Sequence, residues 1–490
     1  MIEALSQFAS PPALGLLAAM VGHPLTRVWL LVRCRWVGSD TYYHFMVGEL
    51  LRRAGRLPLR NHRFLLVETV DYPPVVPFVV ASWPPSRIRL LQYAGPAADF
   101  GTLVVVGVTA FWLGGLSAAS LAALAYASTP ASFDMGYSFN PRPVANLFLA
   151  VVLASLIAVS HVGPLALAVA IVFGSLVLLT HRLTTQSLVV CAFAYFVFAP
   201  LPSAATIFLS LLVAALLSKG YYVRSLRGHV AFIRDIRRLL PTRSNPATAL
   251  LRTLRGNPHV LAVAFLVIQH PSQSRDTMVL IAWTGALLVT AAVWPFGEGD
   301  RHFANASSPV AILVSLGQWD GATGAVPALT IAVGLGIIAA KLAVYPRLAK
   351  RGTNTIVTAA LRRACRSIRA SWNRPTRPLV LTWPQSLSYQ VMYFAQARGV
   401  LASGGTGSGL AFNRALETRL REGGLSALSR SEVPDFLICL DRAGMSDADT
   451  PWAKIFERDG VRVYQRGDAG GGEHGGPEEP VVAIEDGARQ

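Results

Sequence analysis

The stretch "VGSDTYYHFMVGELLRRAGRLP" (residues 37–58) places an acid, a histidine and two tyrosines next to one another. Ser39 is a favourable helix N-cap and Gly55 a favourable helix end, so the residues between them are predicted to form one short helix. Asp40 then lies in the first turn, where the helix dipole stabilises a carboxylate, and His44 follows on the same face. A carboxylate held in this way can accept a proton from a hydroxyl group. The simpler alternative is that Asp40 only caps the helix.

The same helix is predicted to be amphipathic and to lie where the chain leaves the bilayer. Its apolar face is expected to rest on the membrane while its charged face contacts water. The first face carries Phe45, Leu50 and Leu51, and the second carries Glu49, Arg52 and Arg53.

Further polar segments lie at the ends of later apolar segments. Arg142 stands between two prolines, which hold it rigidly, and an arginine at that depth needs an anionic partner. Taken singly, each segment could be an ordinary interfacial loop. Together they favour one shared polar site. Its predicted members, besides Asp40 and His44, are Asp71, Tyr72, Asp134, Arg142, His181, Arg182, Glu298, Arg301 and His302.

The composition indicates the class of protein that must position these residues. The chain has 490 residues, of which 52% are hydrophobic and only 14% are charged. Soluble domains carry about 25% charged residues, so this depletion indicates a polytopic helical membrane protein. The net charge is +17, and two basic clusters, at 219–255 and 347–377, flank apolar segments. Such placement indicates contact with membrane lipid headgroups and argues against nucleic acid. The four cysteines are scattered and form no CxxC pair.

Apolar segments recur from about residue 13 to residue 345, many of them approaching the ~20 residues that a helix needs to cross a bilayer. Two of them are too short to cross alone, so about ten or eleven transmembrane helices are predicted. The predicted segments are 13–33, 98–113, 115–129, 143–160, 164–180, 185–200, 203–218, 258–270, 278–295, 308–318 and 325–345.

The C-terminal part of the chain has a different pattern. Short apolar strands, "PLVLTW", "DFLICL" and "VRVYQR", alternate with the helical patterns "SYQVMYFAQARGV" and "NRALETRLREGG". We therefore expect an all-α membrane domain over 1–345, a basic juxtamembrane linker over 346–377 and a small α/β domain over 378–466. The Gly- and acid-rich segment 467–490 is predicted to be a disordered tail.

Counting spans places the polar loops on one side of the membrane. With residue 1 in the cytoplasm, all of them fall outside. The rule that Lys and Arg stay inside favours the opposite placement for the two basic clusters. We prefer the outward assignment because it gathers the carboxylate- and Arg-bearing loops on one face, and because a basic loop suits a phosphate-bearing lipid. The loops concerned are 34–74, 129–142, 181–184, 219–257 and 296–307.

In chain order, these motifs resemble the GT-C glycosyltransferases, multi-span enzymes that take a sugar from a polyprenyl-phosphate carrier. "DTYYHFMVGELLRRAGRLP" resembles the first outer loop of oligosaccharyltransferase catalytic subunits and their relatives. "DYPPVVPF" is similar to the Tyr-Pro-Pro start of the next membrane segment. "SFNPRPVANLFLA", "LLTHRLT" and "GEGDRHFANASSP" resemble the second outer loop, a helix junction and a later loop. The resemblance covers residues 37–309 and implies the GT-C fold.

The resemblance also implies a transferase in the plasma membrane with its active site facing outside. The chain shows neither the Trp-Trp-Asp signature nor the paired second-loop acids of oligosaccharyltransferases. A transferase that moves one sugar to a glycolipid, glycan or protein acceptor therefore fits better than transfer of a whole oligosaccharide.

The implied chemistry needs a base on the acceptor hydroxyl and cations on the departing phosphate. Asp40 is the predicted base. The predicted phosphate-binding cations are Arg142, Arg182 and Arg301, and the predicted orienting groups are His44, His181 and Glu298. Hard carboxylate oxygens suit Mg²⁺ or Mn²⁺, so a metal ion held by Asp40 and Asp134 is a further hypothesis.

Three alternatives stay open. One is oligosaccharyltransferase-type transfer from a lipid-diphosphate carrier to protein; another is a transporter or flippase for lipid-linked sugars; the third is a non-catalytic scaffold for glycan assembly. Transporters usually show repeated halves with broken helices, and the sequence shows no such symmetry. The charged residues lie at span ends, which favours a site at the membrane surface.

Overall fold

The structure is a computed structural model of the 490-residue chain, mostly helical with a small sheet near its C-terminal end. This arrangement confirms the predicted class, a helical membrane domain followed by a small α/β domain. The predicted tail 467–490 lies outside the described residues. The structure describes 10–34, 38, 40–57, 60–65, 68–239, 246–269, 274–293, 300–317, 323–351, 357–401, 407–429, 431–440 and 452–466.

Sixteen helical elements are described in the membrane domain, together with a short antiparallel ladder between the second and third helices and a 3-10 helix before the fourth. The elements are α1 (Pro11–Cys34), α2 (Asp40–Ala54), β1 (Arg60–Asn61), β2 (Glu68–Thr69), α3 (Val75–Ser82), the 3-10 helix Pro85–Tyr93, α4 (Ala94–Ala127), α5 (Pro130–Gly136), α6 (Pro141–Val162), α7 (Pro164–Leu178), α8 (Arg182–Phe196), α9 (Pro200–Leu217), α10 (Tyr221–Leu239), α11 (Pro246–Gly256), α12 (Val260–Gln269), α13 (Arg275–Val293), α14 (Asp300–Asn305), α15 (Ser307–Leu316) and α16 (Ala325–Arg351).

Several of these helices can cross a membrane. Within the described residues, five helical segments are long and apolar enough to do so by length and composition, and α7, α12 and α15 are shorter apolar helices beside them. The predicted number of ten or eleven spans therefore includes helices that are too short to cross alone. The five segments are Pro11–Cys34, Pro85–Ala127, Pro141–Val162, Pro200–Leu217 and Ala325–Tyr345.

The long element α4 is a hairpin of two helices. The Tyr126 hydroxyl donates a hydrogen bond of 2.7 Å to Asp99 Oδ1, although 27 residues separate them. In a straight helix those residues would lie roughly 40 Å apart, so the chain must reverse between them. It does so at Gly114 and Gly115, where Gly115 has a left-handed φ of 74° that costs a glycine little. The reversal agrees with the two predicted segments, 98–113 and 115–129.

A buried polar cluster fixes α1 against this hairpin. Arg27 Nε lies 3.1 Å from Asp99 Oδ2, and His23 Nε2 lies 2.9 Å from the same oxygen. The Arg27 guanidinium also donates to the Ser132 hydroxyl at 3.4 Å. All four side chains are buried. Inside a bilayer such charges persist only when they are paired, so the cluster determines how α1, α4 and α5 meet.

The C-terminal domain is built on a five-stranded sheet in the order β4-β3-β5-β7-β6, in which β3 runs parallel to β4 and β5 while β7 runs antiparallel to β5 and β6. The three predicted strands and the second predicted helix are present. The first predicted helix, 388–400, is wrong over its last part: it ends at Phe394, and Arg398–Gly399 pairs with β3 as the strand β4. The strand β6 was not predicted, because its mostly exposed side chains give no buried apolar run. The elements are α17 (Ala359–Ser371), β3 (Leu379–Trp383), α18 (Ser388–Phe394), β4 (Arg398–Gly399), α19 (Gly407–Gly423), β5 (Phe436–Leu440), β6 (Trp452–Arg458) and β7 (Val461–Arg466).

The two domains share a hydrophobic core. Tyr42 and Phe45 of α2 pack in one cluster with residues of α17, α18 and the sheet. Phe45 lies 5.5 Å from the Tyr393 ring and 5.7 Å from the Phe139 ring, measured between centroids. The apolar face of α2 is therefore buried inside the protein, and the expectation that it rests on the membrane is wrong. Helix α17, which falls within the predicted linker 346–377, packs against the sheet.

The ion pair in the α1–α4 cluster should dominate the stability of the membrane domain. We expect Asp99→Ala to destabilise the protein by about 3–5 kcal/mol, because it leaves the buried Arg27 charge uncompensated. Asp276→Ala, which removes a partly exposed carboxylate from beside His161 at 3.4 Å, should cost less than about 1 kcal/mol. Unfolding in detergent micelles measures both. Equal losses of unfolding free energy in the two variants would contradict the assignment. So would a double variant, Arg27→Met/Asp99→Asn, that is no more stable than Asp99→Ala.

Candidate active site

An ion pair at the end of the membrane helices joins two of the predicted loops. Arg182 Nη2 lies 2.7 Å from Asp71 Oδ1 and also donates to the Asp71 carbonyl oxygen at 2.8 Å. The guanidinium lies over the ring of Tyr72, 5.3 Å from its centroid, and 5.9 Å from that of Phe232. Arg182 is buried and Asp71 is nearly so. The predicted members Asp71, Tyr72 and Arg182 therefore form one group.

His181 supports this group from the start of α8. It is the N-cap residue, and its Nδ1 accepts a hydrogen bond from the Thr184 backbone N–H at 3.3 Å. The same nitrogen lies 2.9 Å from the Thr184 hydroxyl. A capped helix start holds Arg182, the first residue of α8, in a fixed position. The structure therefore gives His181 a capping contact, whereas the sequence suggested a group that orients the substrate.

Four half-buried tyrosines extend from the ion pair towards α18, and we refer to Tyr43, Tyr72, Tyr221 and Tyr389 as the tyrosine wall. The Tyr43 ring lies 6.3 Å from that of Tyr72 and 5.8 Å from that of Tyr389. The Tyr221 hydroxyl donates to the carbonyl oxygens of Val70 and Tyr72, at 3.0 and 3.2 Å. Burial raises the pKa of Tyr43 well above its usual range, with further contributions from Tyr389 and Asp71. Its phenol is therefore a neutral hydrogen-bonding group.

Sequence reasoning missed three members of this wall. Tyr43 lies inside the opening motif, beside His44, so its position was a usable signal. Tyr221 begins a helix directly after a span, as interfacial tyrosines often do. Tyr389 belongs to the C-terminal domain and gave no local signal, because only the tertiary fold brings it to α2.

His44 lies against the wall with an unsatisfied nitrogen. Its ring is 5.1 Å from that of Tyr72 and 5.3 Å from that of Tyr43. It is only 2% exposed, and its Nδ1 has no hydrogen-bond partner among the described residues. Burial lowers the pKa of His44 to about 4, an effect that the nearby Asp40 carboxylate partly opposes. The imidazole is therefore neutral near pH 7 and can orient a polar ligand.

Asp40 is the first residue of α2, as the sequence predicted, and it is exposed. The next residue, Thr41, donates from its hydroxyl to the Phe139 carbonyl oxygen at 2.5 Å, which ties this helix start to the second loop. Asn140 then caps α6 by accepting from the Arg142 backbone N–H at 2.8 Å. The half-buried Arg142 side chain makes no ion pair within the described part of the chain.

Asp134 has partners of its own on α16. Its carboxylate forms an ion pair with Lys341 and lies 3.5 Å from the Tyr345 hydroxyl. Among the residues that the structure describes, no three His, Cys, Asp or Glu side chains gather as metal ligands would. The hypothesis that Asp40 and Asp134 hold Mg²⁺ or Mn²⁺ stays untested.

The loop predicted over 296–307 contacts α8 through His302 and Asn305. His302 is fully buried, and its Nδ1 lies 2.9 Å from the hydroxyl of Ser187 on α8. Asn305 donates to the same hydroxyl at 2.5 Å. Ser187 lies about one and a half turns along α8 from Arg182, so His302 packs on α8 at that distance from the ion pair. Glu298 and the side chain of Arg301 lie outside the described residues.

Helix α10 covers the Asp71 carboxylate. Gly228 approaches so closely that a Cβ at this position would overlap the carboxylate oxygens of Asp71. The next residue, His229, is buried with Nε2 2.8 Å from the Gln186 amide nitrogen on α8. Burial, with a smaller effect from Arg182, lowers the pKa of His229 to about 3. The site is therefore enclosed by α2, α8, α10 and α18 together.

No protein-family model matches this chain, and no curated protein matches its sequence. Solved structures do match in shape. ArnT from Cupriavidus metallidurans bound to undecaprenyl phosphate is 12% identical, with a TM-score of 0.63 over 92% of this chain and 98% of that one. The oligosaccharyltransferase AglB from Archaeoglobus fulgidus, in complex with an inhibitory peptide and a dolichol-phosphate, is 10% identical, with a TM-score of 0.54 over 87% and 69%. Both are GT-C proteins, so this chain has the GT-C fold.

Gly228→Ala should disrupt the site although alanine is the better helix former. We expect it to destabilise the protein by about 1–3 kcal/mol, because the new Cβ displaces Asp71 from Arg182. Gly285→Ala is the matched control, since a Cβ there meets nothing within 4 Å. That change should be neutral or stabilising by up to about 1 kcal/mol. Unfolding in detergent compares the two, and stabilisation of both would show that α10 does not press on Asp71.

Acid should destabilise the protein through His44. The unfolded chain binds a proton at the ordinary histidine pKa and the folded chain only at about 4, so stability falls as pH drops below the ordinary value. Between pH 7 and pH 5 this difference amounts to about 2 kcal/mol. We expect His44→Gln to flatten the curve of unfolding free energy against pH by that amount over this interval. Parallel curves for His44→Gln and wild type would refute the assignment.

Proposed function

We propose that this chain is a membrane glycosyltransferase, which moves a sugar from a polyprenyl-phosphate carrier to a glycolipid, glycan or protein acceptor. The observation that carries this proposal is the likeness in fold to ArnT along nearly the full length of both chains, since that protein's structure holds undecaprenyl phosphate. The site described above adds support, because its polar residues gather at the ends of apolar helices, where a lipid-linked phosphate lies.

Asp40 is proposed as the base. It is exposed at the start of α2, so an acceptor hydroxyl can approach its carboxylate. The acceptor hydroxyl oxygen forms a bond to the anomeric carbon as its proton passes to the Asp40 carboxylate. The bond between the anomeric carbon and the phosphate oxygen breaks, and the polyprenyl phosphate leaves with the electron pair. Base catalysis of this kind contributes typically ~10²–10⁴-fold.

The two arginines of the site have different roles in this proposal. Arg142 makes no ion pair with a described residue, so its charge is available to the departing phosphate. Arg182 is already balanced by Asp71, and its contact with the aromatic ring of Tyr72 fixes its direction. We propose that Arg182 mainly holds the first loop in position and contributes less to binding phosphate.

The neutral groups would bind the sugar. Tyr43, Tyr72 and His44 present aromatic faces and uncharged hydrogen-bonding atoms within one half-buried wall. Sugar rings need such a mixture, because their hydroxyls form hydrogen bonds while their C–H faces pack on aromatic rings. Tyr389 extends this wall from the C-terminal domain, which gives that domain a part in binding as well as in stability.

We also propose that the site faces the outside of the plasma membrane. The loops that carry the site residues meet at one end of the bundle: Arg182 pairs with Asp71, Thr41 contacts the second loop, and Tyr221 contacts the first. This agrees with the prediction that the polar loops share one side. Labelling of single cysteines introduced at exposed loop positions in intact cells would establish which side that is.

Donor consumption tests the proposed function directly. Protein reconstituted in lipid receives a panel of polyprenyl-phosphate sugars and a glycolipid extract, and release of free polyprenyl phosphate is followed. We expect Asp40→Asn to lower release by ~10²–10⁴-fold, because the base is lost while the shape of the side chain is kept. The control Asp459→Asn removes an exposed carboxylate at a left-handed position that Asn also tolerates, and it should leave release unchanged.

Other outcomes of this assay separate the alternatives. Full activity in Asp40→Asn would move the base to another carboxylate, with Asp71 the next candidate. Release that stops on chelation and returns with Mg²⁺ or Mn²⁺ would add a metal ion to the site. Movement of intact donor across the membrane without release of free carrier would point to a flippase. If diphosphate-linked donors are added to the panel and only they are consumed, with release of polyprenyl diphosphate, the oligosaccharyltransferase type would be favoured.

A further inference from the structure

Only three residues separate α10 from the end of α9, which is long and apolar enough to cross a membrane, so α10 starts near the membrane surface. The apolar helix α9 ends at Leu217, and the chain turns through Lys219 and Gly220, which both have left-handed φ values, of 50° and 80°. Two such residues in succession produce a sharp turn, after which Tyr221 opens α10. Tyrosine is common at the boundary between membrane and water. The turn therefore ends α9 and lets α10 leave the axis of that helix.

The outward face of α10 is more apolar than that of a helix on a soluble protein. Its buried face carries Tyr222, Ser225 and His229, which are 4%, 2% and 6% exposed. Its outward face carries apolar residues, with Val223 44%, Leu226 39% and Val230 61% exposed. These three recur at the spacing of one helical face. In water this arrangement would be unfavourable, but it suits a helix that has the active site on one side and lipid on the other.

Basic residues accompany the apolar ones on the outward face. Lys219, in the turn before α10, and Arg227 are exposed, and Arg234 is exposed about two turns beyond Arg227. Residues 219–234 contain no Asp or Glu. Such a face can insert its Val and Leu side chains into the boundary between headgroups and acyl chains while its cationic ends reach lipid phosphates. Charge complementarity therefore favours an anionic phospholipid as the occupant.

We infer that anionic phospholipid binds to Arg227 on the outward face of α10 and to Lys219 in the turn that precedes it, and that this contact holds α10 against the active site. The opposite face of α10 presses Gly228 on the Asp71 carboxylate, and Tyr221 holds the backbone of the first loop. Lipid that fixes α10 therefore also fixes the Asp71–Arg182 pair. The lipid-binding part stands on the surface of α10 alone, and only the effect on turnover rests on the proposed function.

Thermal unfolding in detergent tests binding without any assumption about activity. The full-length protein is titrated with phosphatidylglycerol or with phosphatidylcholine, and the shift in Tm is recorded. Each cationic residue near an anionic lipid surface contributes about fivefold to affinity. The variant Lys219→Gln/Arg227→Gln should therefore need about 30-fold more phosphatidylglycerol for the same shift in Tm. The control Arg421→Gln/Arg458→Gln removes two exposed charges from the C-terminal domain and should leave the titration unchanged.

Two results would overturn the inference: equal stabilisation of wild type by the two lipids, or an unchanged phosphatidylglycerol titration in Lys219→Gln/Arg227→Gln. Turnover in vesicles tests the second part, since phosphatidylglycerol should raise wild-type donor consumption severalfold and leave the double variant at its rate in pure phosphatidylcholine. Leu226→Ser should reduce the lipid effect too, because the apolar contact is weakened. If wild type consumes no donor, the proposed function fails, while the Tm titration still decides whether α10 binds anionic lipid.

Discussion

The contact between Arg182 and Asp71 is the interaction on which the site depends. A guanidinium and a carboxylate at the end of a helix bundle are expensive to remove from water, and they stay there only because each satisfies the other. Three contacts hold the pair in place. His181 caps the helix that carries the arginine, Tyr72 lies under the guanidinium, and Gly228 of α10 packs against the carboxylate. The pair thereby fixes the first loop, whose other end carries Asp40.

The C-terminal domain is the second constraint, because it completes the core under α2. Tyr42 and Phe45 pack on Tyr393 and Phe394 of α18, and Arg63 forms an ion pair with Glu49 at 2.6 Å while it contacts Gln396 at 3.1 Å. On the far side, α19 packs against α10. The domain thus contacts two of the helices that enclose the site. This explains why the tyrosine wall includes one of its residues.

The sequence was informative wherever the signal was local. Ser39 and Gly55 gave the bounds of α2, and apolar runs gave the break in α4 and the buried strands β3 and β5. The exposed edge strand β6 was missed because it lacks such a run. Contacts distant in sequence were not accessible: Lys341 neutralises Asp134 from 207 residues away, and Tyr389 reaches α2 only through the fold. For the same reason the apolar face of α2 was assigned to the membrane, since the sequence shows that a face is apolar but not what covers it.

The long separation between α2 and its cover has a consequence for biosynthesis. Arg63 contacts the carbonyl oxygen of Met392, 329 residues later in the chain. At a synthesis rate of roughly 5–20 residues per second, the first loop exists for tens of seconds before the domain that buries it has been made. During that interval Phe45 and its neighbours on the nascent chain need another apolar surface, and the bilayer is the nearest one. The first loop is thus built early and completed last, so a ribosome that stalls before the sheet is translated leaves every transmembrane helix inserted around an unfinished site.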